Sequence, residues 1–127
     1  MSLRAQPGIK ARDLISVQPV RRMPAASQWE NETFQAIGNP IRVYSRKLGS
    51  AESYREGKQE QTVSYTLYAD HRRGVDFPVR EKDRIWHPKA SDRNADGTPN
   101  YETALTVDSV LTYDDEGVCV IDAGRTF

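Results

Sequence analysis

The sequence predicts a mainly β fold: a small antiparallel β-barrel or sandwich of five to six strands, with an extended N-terminal arm and long loops. Two observations predict it. After Pro40, apolar residues alternate with polar ones in several short segments, as they do in strands with one buried face. Helical spacing is nearly absent, and turn-forming residues separate the segments. Short strands in this order are typical of small barrels and sandwiches.

The composition fits one small domain. The chain has 127 residues, with 18 basic and 18 acidic side chains and a single cysteine. Leu, Ile, Val and Phe occupy only 25 positions, so we expect a folded part smaller than the whole chain. One cysteine cannot form an internal disulfide, and no signal-peptide pattern or run of roughly 18 apolar residues is present. We therefore expect a cytosolic context and no membrane partner.

The first 39 residues lack a strand or helix period over most of their length and contain three of the seven prolines. Proline has no amide donor and a fixed φ, so we expect residues 1–39 to form an extended arm that docks on another surface. Its candidate anchors are Ile15, Val17, Val20 and Met23. Within the arm, apolar spacings of three and four residues over 29–37 predict a short helix that ends near Gly38.

Residues 40–127 carry the strand patterns and are predicted to form the β-barrel domain. The segments with a period of two lie at 41–46 and 62–69, and two short candidates lie at 77–79 and 84–87. A hairpin is predicted over 103–123, with its turn at Asp114–Gly117. Two polar connections, 49–61 and 89–100, are predicted to be long loops, which compact domains seldom carry without a use for them.

The residue types that catalysis requires are scarce. The chain has no phosphate-binding glycine loop, no nucleophile elbow, no Cys/His cluster for zinc and no cysteine with a matching histidine and acid. His71 and His87 are the candidate general bases, although surface or strand-end positions explain both more simply. Cys119 is expected to be a buried, inert residue, and Trp29 and Trp86 to be core or subunit-contact residues. We predict no catalytic residue, cofactor-binding residue or metal ligand.

The segment Asp92–Gly97 matches the first half of a calcium loop, with oxygen-bearing side chains at Asp92, Asn94 and Asp96. The second half departs from that pattern, because Thr103 occupies the position of the bidentate acid and Glu102 lies one place early. Strand patterns also flank the loop where helices are required. Since Asx residues and glycine are what any tight turn uses, the turn interpretation is favoured over a calcium site.

A basic and aromatic set raises the alternative of an OB-like nucleic-acid binder. Its members are Arg42, Arg46, Lys47, Arg72, Arg73, Arg80, Lys82, Arg84, Tyr44, Tyr65 and Tyr68. Acids are interspersed and the pI is about 6.7, so a solvated surface of mixed charge is favoured. The two ends of the chain differ in sign: residues 1–28 carry five bases and one acid, and residues 101–127 carry six acids and one base. This asymmetry suits copies that meet head to tail, although solvated ends explain it equally well.

Residues 40–127 resemble the stopper, or head-closure, proteins of the head-to-tail connector of long-tailed bacteriophages. The resemblance lies in a strand that runs into an Ala-Asp step at Thr66–Arg73, a polar turn into Asp-Arg-Ile at Val79–Ile85, and a strand over 101–107 with a closing hairpin. Where that family usually has a glycine before the Asp-Arg-Ile step, this chain has Lys82. The long arm and the acidic loop are additions.

The resemblance implies a non-enzymatic virion protein of the phage neck, assembled in the host cytoplasm. It implies a small β-barrel that forms a homo-oligomeric ring, commonly of six copies, with a portal or adaptor ring on the head side and the tail terminator or tail tube on the other. One long loop, 49–61 or 89–100, would project into the channel and contact packaged double-stranded DNA non-specifically through its phosphates. The alternatives are a tail-terminator or other minor tail subunit and, less favoured, an OB-like binder of single-stranded nucleic acid.

Overall fold

The computed structural model describes residues 13–24, 33–55, 58–71, 77–113 and 115–126. These residues form seven strands and one turn of 3-10 helix. The elements are β1 (Leu14–Met23), β2 (Thr33–Ala36), β3 (Ile41–Arg55), β4 (Lys58–Asp70), β5 (Arg84–Trp86), the 3-10 turn Tyr101–Thr103, β6 (Leu105–Tyr113) and β7 (Val118–Thr126). No helix in these ranges has the length and apolar content needed to cross a bilayer.

Six of the strands close into an antiparallel barrel. They pair in the order β1, β3, β4, β7, β6 and β5, and β5 pairs back with β1 to complete the circle. The short strand β2 is added on the outside of β1. The closing contacts are short, because β3 beyond Tyr44 has no other described strand on its β1 side and β6 beyond Thr106 has none on its β5 side. The predicted mainly β fold, a small antiparallel barrel, is confirmed.

Strand β1 corrects the prediction of an N-terminal arm. Residues Leu14–Met23 are a barrel strand, so the barrel begins well before the predicted boundary at residue 40, and residues 1–12 lie outside the described ranges. Proline is tolerated because β1 changes partners at Pro19. Its pairing with β3 ends at Val17, and its pairing with β2 begins at Val20. Proline has no backbone N–H, and at Pro19 the edge of β1 that faces β3 and β2 has no strand partner that would need one. The Pro19 carbonyl still accepts from the Ile37 N–H at 2.9 Å.

The helix predicted over 29–37 is wrong where the structure describes it. Thr33–Ala36 is strand β2, which pairs antiparallel with Val20–Met23. The spacing of Phe34 and Ile37 resembled a helical face, but Phe34 packs with Trp86 and Val20 in a small cluster outside the barrel. Tertiary packing thus decides the conformation of a segment with weak local preference. The helix's predicted start lies outside the described residues.

The barrel interior is filled by alternate residues of each strand. In β4, Val63, Tyr65, Leu67 and Ala69 point inward and are buried, as their period of two predicts. The inward residues of the other strands complete one continuous core, which includes Val17, Val43, Ile85, Leu105, Val107, Cys119, Ile121 and Ala123. Each fully buried Leu or Ile contributes roughly 2 kcal/mol of transfer free energy. The core is therefore assembled from every wall strand, β1 included.

Most of the remaining predicted elements are confirmed, and three are not. The strand patterns at 41–46, 62–69 and 84–87 correspond to β3, β4 and β5, and the hairpin predicted over 103–123 is β6 and β7, with Gly117 at a φ of 69° in its turn. The candidate strand 77–79 is not a strand, because Pro78 interrupts it. The segment 101–104 is a 3-10 turn that precedes β6. The predicted loop 49–61 is a hairpin formed by the ends of β3 and β4.

An ion pair holds the turn before β5, next to the pairing of β1 with β5 that closes the barrel. The Arg21 guanidinium donates to both carboxylate oxygens of Asp83, from Nε at 3.0 Å and from Nη2 at 2.9 Å. The same carboxylate accepts from the Arg80 backbone N–H at 2.9 Å, and Asp83 is buried. Arg21 also donates to the Pro78 carbonyl at 3.1 Å. The contact with Asp83 raises the pKa of Arg21. One carboxylate thus connects β1 to the turn over 80–83.

Lys82 adopts a left-handed backbone conformation in that turn, with a φ of 72°. It is the sole non-glycine residue with a positive φ in the described part of the chain. A residue with a Cβ pays about 1 kcal/mol for this conformation, whereas glycine does not. The Lys82 N–H donates to the Val107 carbonyl at 3.0 Å, so the strained conformation is held against β6.

Replacing Asp83 should destabilise the barrel. We expect Asp83→Asn to lower the free energy of unfolding by about 2 kcal/mol, because the amide removes the negative charge next to Arg21 and leaves one oxygen in place of two to accept from Arg21 and the Arg80 N–H. Urea denaturation measures the change. Asp108→Asn is the matched control, since Asp108 is exposed, and it should change stability by less than about 0.5 kcal/mol. Equal effects of the two substitutions would contradict the role given to Asp83.

Relieving the strain at Lys82 should stabilise the protein. We expect Lys82→Gly to raise the free energy of unfolding by about 0.5–1 kcal/mol, seen as a higher melting temperature. Lys89→Gly is the control, because Lys89 lies in a turn without a positive φ, and glycine there adds only disorder to the unfolded chain. A fall in melting temperature for both variants would show that the left-handed conformation carries no strain.

Candidate functional site

His87, one of the two candidate bases, is fully buried where β5 ends. Its Nε2 lies 2.8 Å from Ser45 Oγ on β3, and its Nδ1 accepts from the Lys89 backbone N–H at 3.1 Å. Because Nδ1 accepts, Nε2 carries the proton and donates to Ser45. The ring also packs on Tyr65, with centroids 4.6 Å apart. Burial, and then the charge of Lys89, lowers the pKa of His87 to about 4.

This environment makes His87 a structural residue of the core. Both ring nitrogens are engaged, and no part of the side chain reaches solvent, where a substrate would have to meet it. The imidazole instead links β3 to the chain that leaves β5, two segments 42 residues apart in sequence. A neutral histidine satisfied on both sides is the arrangement that burial favours.

The other candidates occupy equally structural positions. His71 is half-buried just after β4. Its backbone N–H donates to the Gly117 carbonyl at 2.9 Å, and its ring contacts the Phe77 ring edge-on. Cys119 is buried in the core, as predicted, and burial raises the pKa of its thiol to about 11. Trp86 is a buried packing residue whose Nε1 donates to the Asp92 carbonyl. Trp29 lies outside the described residues.

The loop Asp92–Asn100 is a tight turn held by its own side chains. Asp96 accepts from Thr98 through both its backbone N–H, at 3.0 Å, and its hydroxyl, at 2.6 Å. Asn94 donates to Thr98 Oγ1 and to the Pro99 carbonyl, and Arg93 pairs with Pro99 in an isolated bridge. The hydrogen bonds from Thr98 lower the pKa of Asp96. The Asn94 amide NH2 and the Asp96 carboxylate therefore serve the turn, as Asx residues in turns do.

Asp92 faces away from that turn toward the barrel. Its carboxylate lies 3.5 Å from the guanidinium of Arg125 on β7, and its backbone N–H donates to Thr103 Oγ1. Among the described residues, no group of three or more His, Cys, Asp or Glu side chains is placed to hold a metal ion. The predicted polar loop 89–100 is therefore an ordered segment that packs along β5 and β7.

An open cleft of about 520 Å³ lies on the outer wall where β5, β6, β7 and β4 run side by side. Its floor is made of small residues on these strands, Thr106, Gly124 and Ser64, and its rim carries Arg84 and Arg125 opposite Glu102 and Asp108. Arg84 is fixed, because its guanidinium lies 4.0 Å above the Phe34 ring and donates to the Glu102 carbonyl. Burial, and then the charge of Arg22, lowers the pKa of Arg84. The balanced rim gives the cleft no net charge to attract an ion.

The basic and aromatic set does not form one nucleic-acid surface. Tyr65 lies inside the barrel against His87, whereas Tyr44 and Tyr68 lie outside it and pack on each other with centroids 6.2 Å apart. Arg46 and Lys47 are exposed on β3, whereas Arg84 lies in the cleft, on β5. Arg72 and Arg73 fall outside the described residues. The aromatic platform that an OB-like binder needs is thus divided between the interior and the exterior.

The outer wall carries one continuous apolar row across five strands. Successive strand pairs align Leu14 with Tyr44, Tyr44 with Tyr68, Tyr68 with Val120, and Val120 with Leu111. Leu14 is buried at one end, and Leu111 is 52% exposed at the other. Tyr113, two residues after Leu111 on the same face of β6, is 45% exposed. Sequence reasoning missed this row, because its members look like ordinary alternate positions until strand order and register are known.

The hairpin of β3 and β4 extends past the barrel wall. The rows from Glu52 paired with Gln61 to Arg55 paired with Lys58 have no other described strand beside them, because the pairing of β4 with β7 ends at Thr62. These four rows reach roughly 13 Å beyond the last row that β7 shares. The segment 49–61 holds three acids and two bases, a net charge of −1. It is a polar, nearly neutral projection.

A scan against protein-family models found no match for this chain, and a search of curated proteins found none either.

His87 should make stability depend on pH. Its pKa is about 4 in the fold, below the usual 6.5, so between these values the unfolded chain binds a proton that the folded chain excludes. The free energy of unfolding should therefore fall by up to about 3 kcal/mol as the pH drops from 7 to 4. Urea denaturation across this range measures it, with His87→Gln as the variant whose pH dependence should be shallower.

A second measurement keeps this prediction testable if His87→Gln does not fold. In the intact protein, the NMR signals of the His87 ring should titrate near pH 4. A ring midpoint near 6.5, or the same slope in both proteins, would contradict the buried, neutral assignment.

Proposed function

We propose that this chain is a structural protein of a phage neck, which forms a stopper ring between the portal-bearing head and the tail and retains the packaged DNA. Its copies form a homo-oligomeric ring that meets the portal or adaptor ring on one side and the tail terminator or tube on the other. The protein acts by position and shape, in the neck of a virion assembled in the host cytoplasm.

The observation that carries this proposal is the projecting β3–β4 hairpin. The barrel provides a body, and the pairing of Glu52–Arg55 with Lys58–Gln61 carries both strands outward from it, which an irregular loop of the same length would not do. Arranged around an axis, such hairpins would narrow the channel. The net charge of −1 over 49–61 would hold DNA back by obstruction and leave phosphate contacts weak, non-specific and sensitive to salt.

The turn before β5 adds support. The resemblance rests partly on the Asp-Arg-Ile step, and each of its residues has a defined place: Asp83 in the ion pair with Arg21, Arg84 over Phe34, and Ile85 in the core. The family's usual glycine corresponds to Lys82, whose φ of 72° is the conformation that glycine adopts most readily. A left-handed turn at this position would suit the family's glycine, and lysine adopts the same conformation here at an energetic cost.

The chemistry of the described residues supports an architectural role over a catalytic one. His87 and Cys119 are buried in the core, Asp83 is held by Arg21, and Asp96 accepts hydrogen bonds from Thr98. The features left at the surface are an apolar row, a cleft of balanced charge and the projecting hairpin. These are surfaces for protein contacts and for obstruction.

The proposal is tested by adding the purified chain to DNA-filled heads and, separately, to tails of the phage that encodes it. We expect it to bind heads and to reduce the fraction of DNA that nuclease degrades. A shortened variant, in which an Asn-Gly turn joins Ala51 directly to Thr62, keeps every row that β7 supports. This variant should still bind heads but should lose most of the protection.

The outcomes separate the alternatives. Binding to tails and not to heads would replace the stopper with a tail terminator. Tight, salt-dependent binding of single-stranded oligonucleotides by the monomer would favour an OB-like binder. Full protection by the shortened variant would remove the hairpin's role as the obstruction.

A further inference from the structure

Two exposed surfaces of opposite charge lie on β3 and β6. The basic patch is Arg46, Lys47 and Leu48 at the bulge of β3. Arg46 pairs with Thr66 and Lys47 with the inward-facing Tyr65, so the two charges leave opposite faces of β3 and flank its edge, which no other described strand pairs here. The acidic patch is Leu111 and Tyr113 on β6 with Asp115 and Glu116 in the turn that follows. Leu48, at 59%, Leu111 and Tyr113 are the large apolar side chains that stand most exposed in the described ranges. Each patch therefore combines apolar area with charge of a single sign.

The charges in both patches are available for a partner. Arg46, Lys47, Asp115 and Glu116 are exposed, and none forms an ion pair with another described residue. Elsewhere the described chain does pair its charges, as at Arg21 with Asp83 and at Arg125 with Asp92. Like charge next to exposed leucine or tyrosine resembles the edge of a protein interface, where an apolar centre is bordered by polar groups.

The two patches lie on opposite walls of the barrel. From β3 the wall passes through β4 and β7 to reach β6, and in the other direction it passes through β1 and β5. The separation is three strand steps each way around a six-stranded barrel, which is about half a turn. Complementary surfaces on opposite walls cannot meet within one molecule, but they meet when copies stack side by side. Such a contact is heterologous and generates a ring or a filament.

We propose that the acidic patch of one copy binds the basic patch of the next copy, with Leu111 and Tyr113 packed against Leu48 and with Asp115 and Glu116 paired with Arg46 and Lys47. This inference deepens the proposed function, on which it rests for its biological setting, by naming the walls through which ring subunits join. The apolar row ends at Leu111, so the contact would continue an apolar surface that begins at Leu14. Salt should weaken the contact, because its charges are exposed before association.

Disulfide capture tests the contact directly. Two variants are made, Leu48→Cys and Leu111→Cys, and each is oxidised alone and in an equal mixture at high protein concentration. The native Cys119 is buried, so the wild-type chain serves as the background control. We expect the mixture to form a disulfide-linked dimer and each variant alone to form little, because a heterologous contact never brings the same position of two copies together. No dimer in the mixture would overturn the proposal, as would equal dimer from either variant alone, which indicates an isologous contact.

Charge reversal provides the matched control. Adding Arg46→Glu and Lys47→Glu to the first variant, or Asp115→Lys and Glu116→Lys to the second, should lower the dimer yield about tenfold when one member is reversed. Reversing both members should restore it, which also shows that the altered proteins fold. Yields that do not respond to reversal would overturn the charge pairing.

Failure of this contact and failure of the stopper function give different results. Copies that cross-link as expected but do not bind heads would retain the contact and remove the neck assignment. Copies that bind heads and protect DNA without this cross-link would retain the function and refute these two patches as the ring contact.

Discussion

The fold depends on the pairing of β1 with β5, because this seam alone turns a sheet into a barrel. Gln18–Val20 pairs with Arg84–Trp86 over only three residues. The seam is supported by the bidentate contact of Arg21 with Asp83 beside it and by the cluster of Val20, Trp86 and Ala104 that covers it. The surfaces left for contacts with other molecules are the side chains of the outer wall, the added strand β2, the projecting hairpin, and the edges of β3 and β6 that no other described strand pairs.

The elements that the sequence predicted correctly are those whose signal is local. Strand β4 and the hairpin of β6 and β7 were predictable because a period of two and a glycine turn lie within a few residues of one another. Strand β1 was missed because Pro19 argues against a strand unless its partners are known to change at that residue. The hairpin over 49–61 was missed because its polar composition is that of a loop, and only the long register with β4 shows otherwise.

The roles of particular side chains depended on contacts distant in sequence. His87 was a candidate base from its residue type alone, and its partner Ser45 lies 42 residues away across the barrel. Arg21 was counted among the charges of an arm, yet it holds Asp83, 62 residues further along the chain. The outer row and the two patches of opposite charge likewise required strand order and register. The alternation of apolar and polar residues was enough to predict the fold class. The outer surfaces become visible only when strand order and register are known.

We propose that this barrel is a ring subunit whose β3–β4 hairpin points toward a common axis, and a density map of the assembled virion neck would test this arrangement. We expect a ring of six-stranded barrels between portal and tail, with β3 of each copy beside β6 of its neighbour and the hairpins converging on the channel. A neck without such barrels, or one whose hairpins point away from the channel, would contradict it.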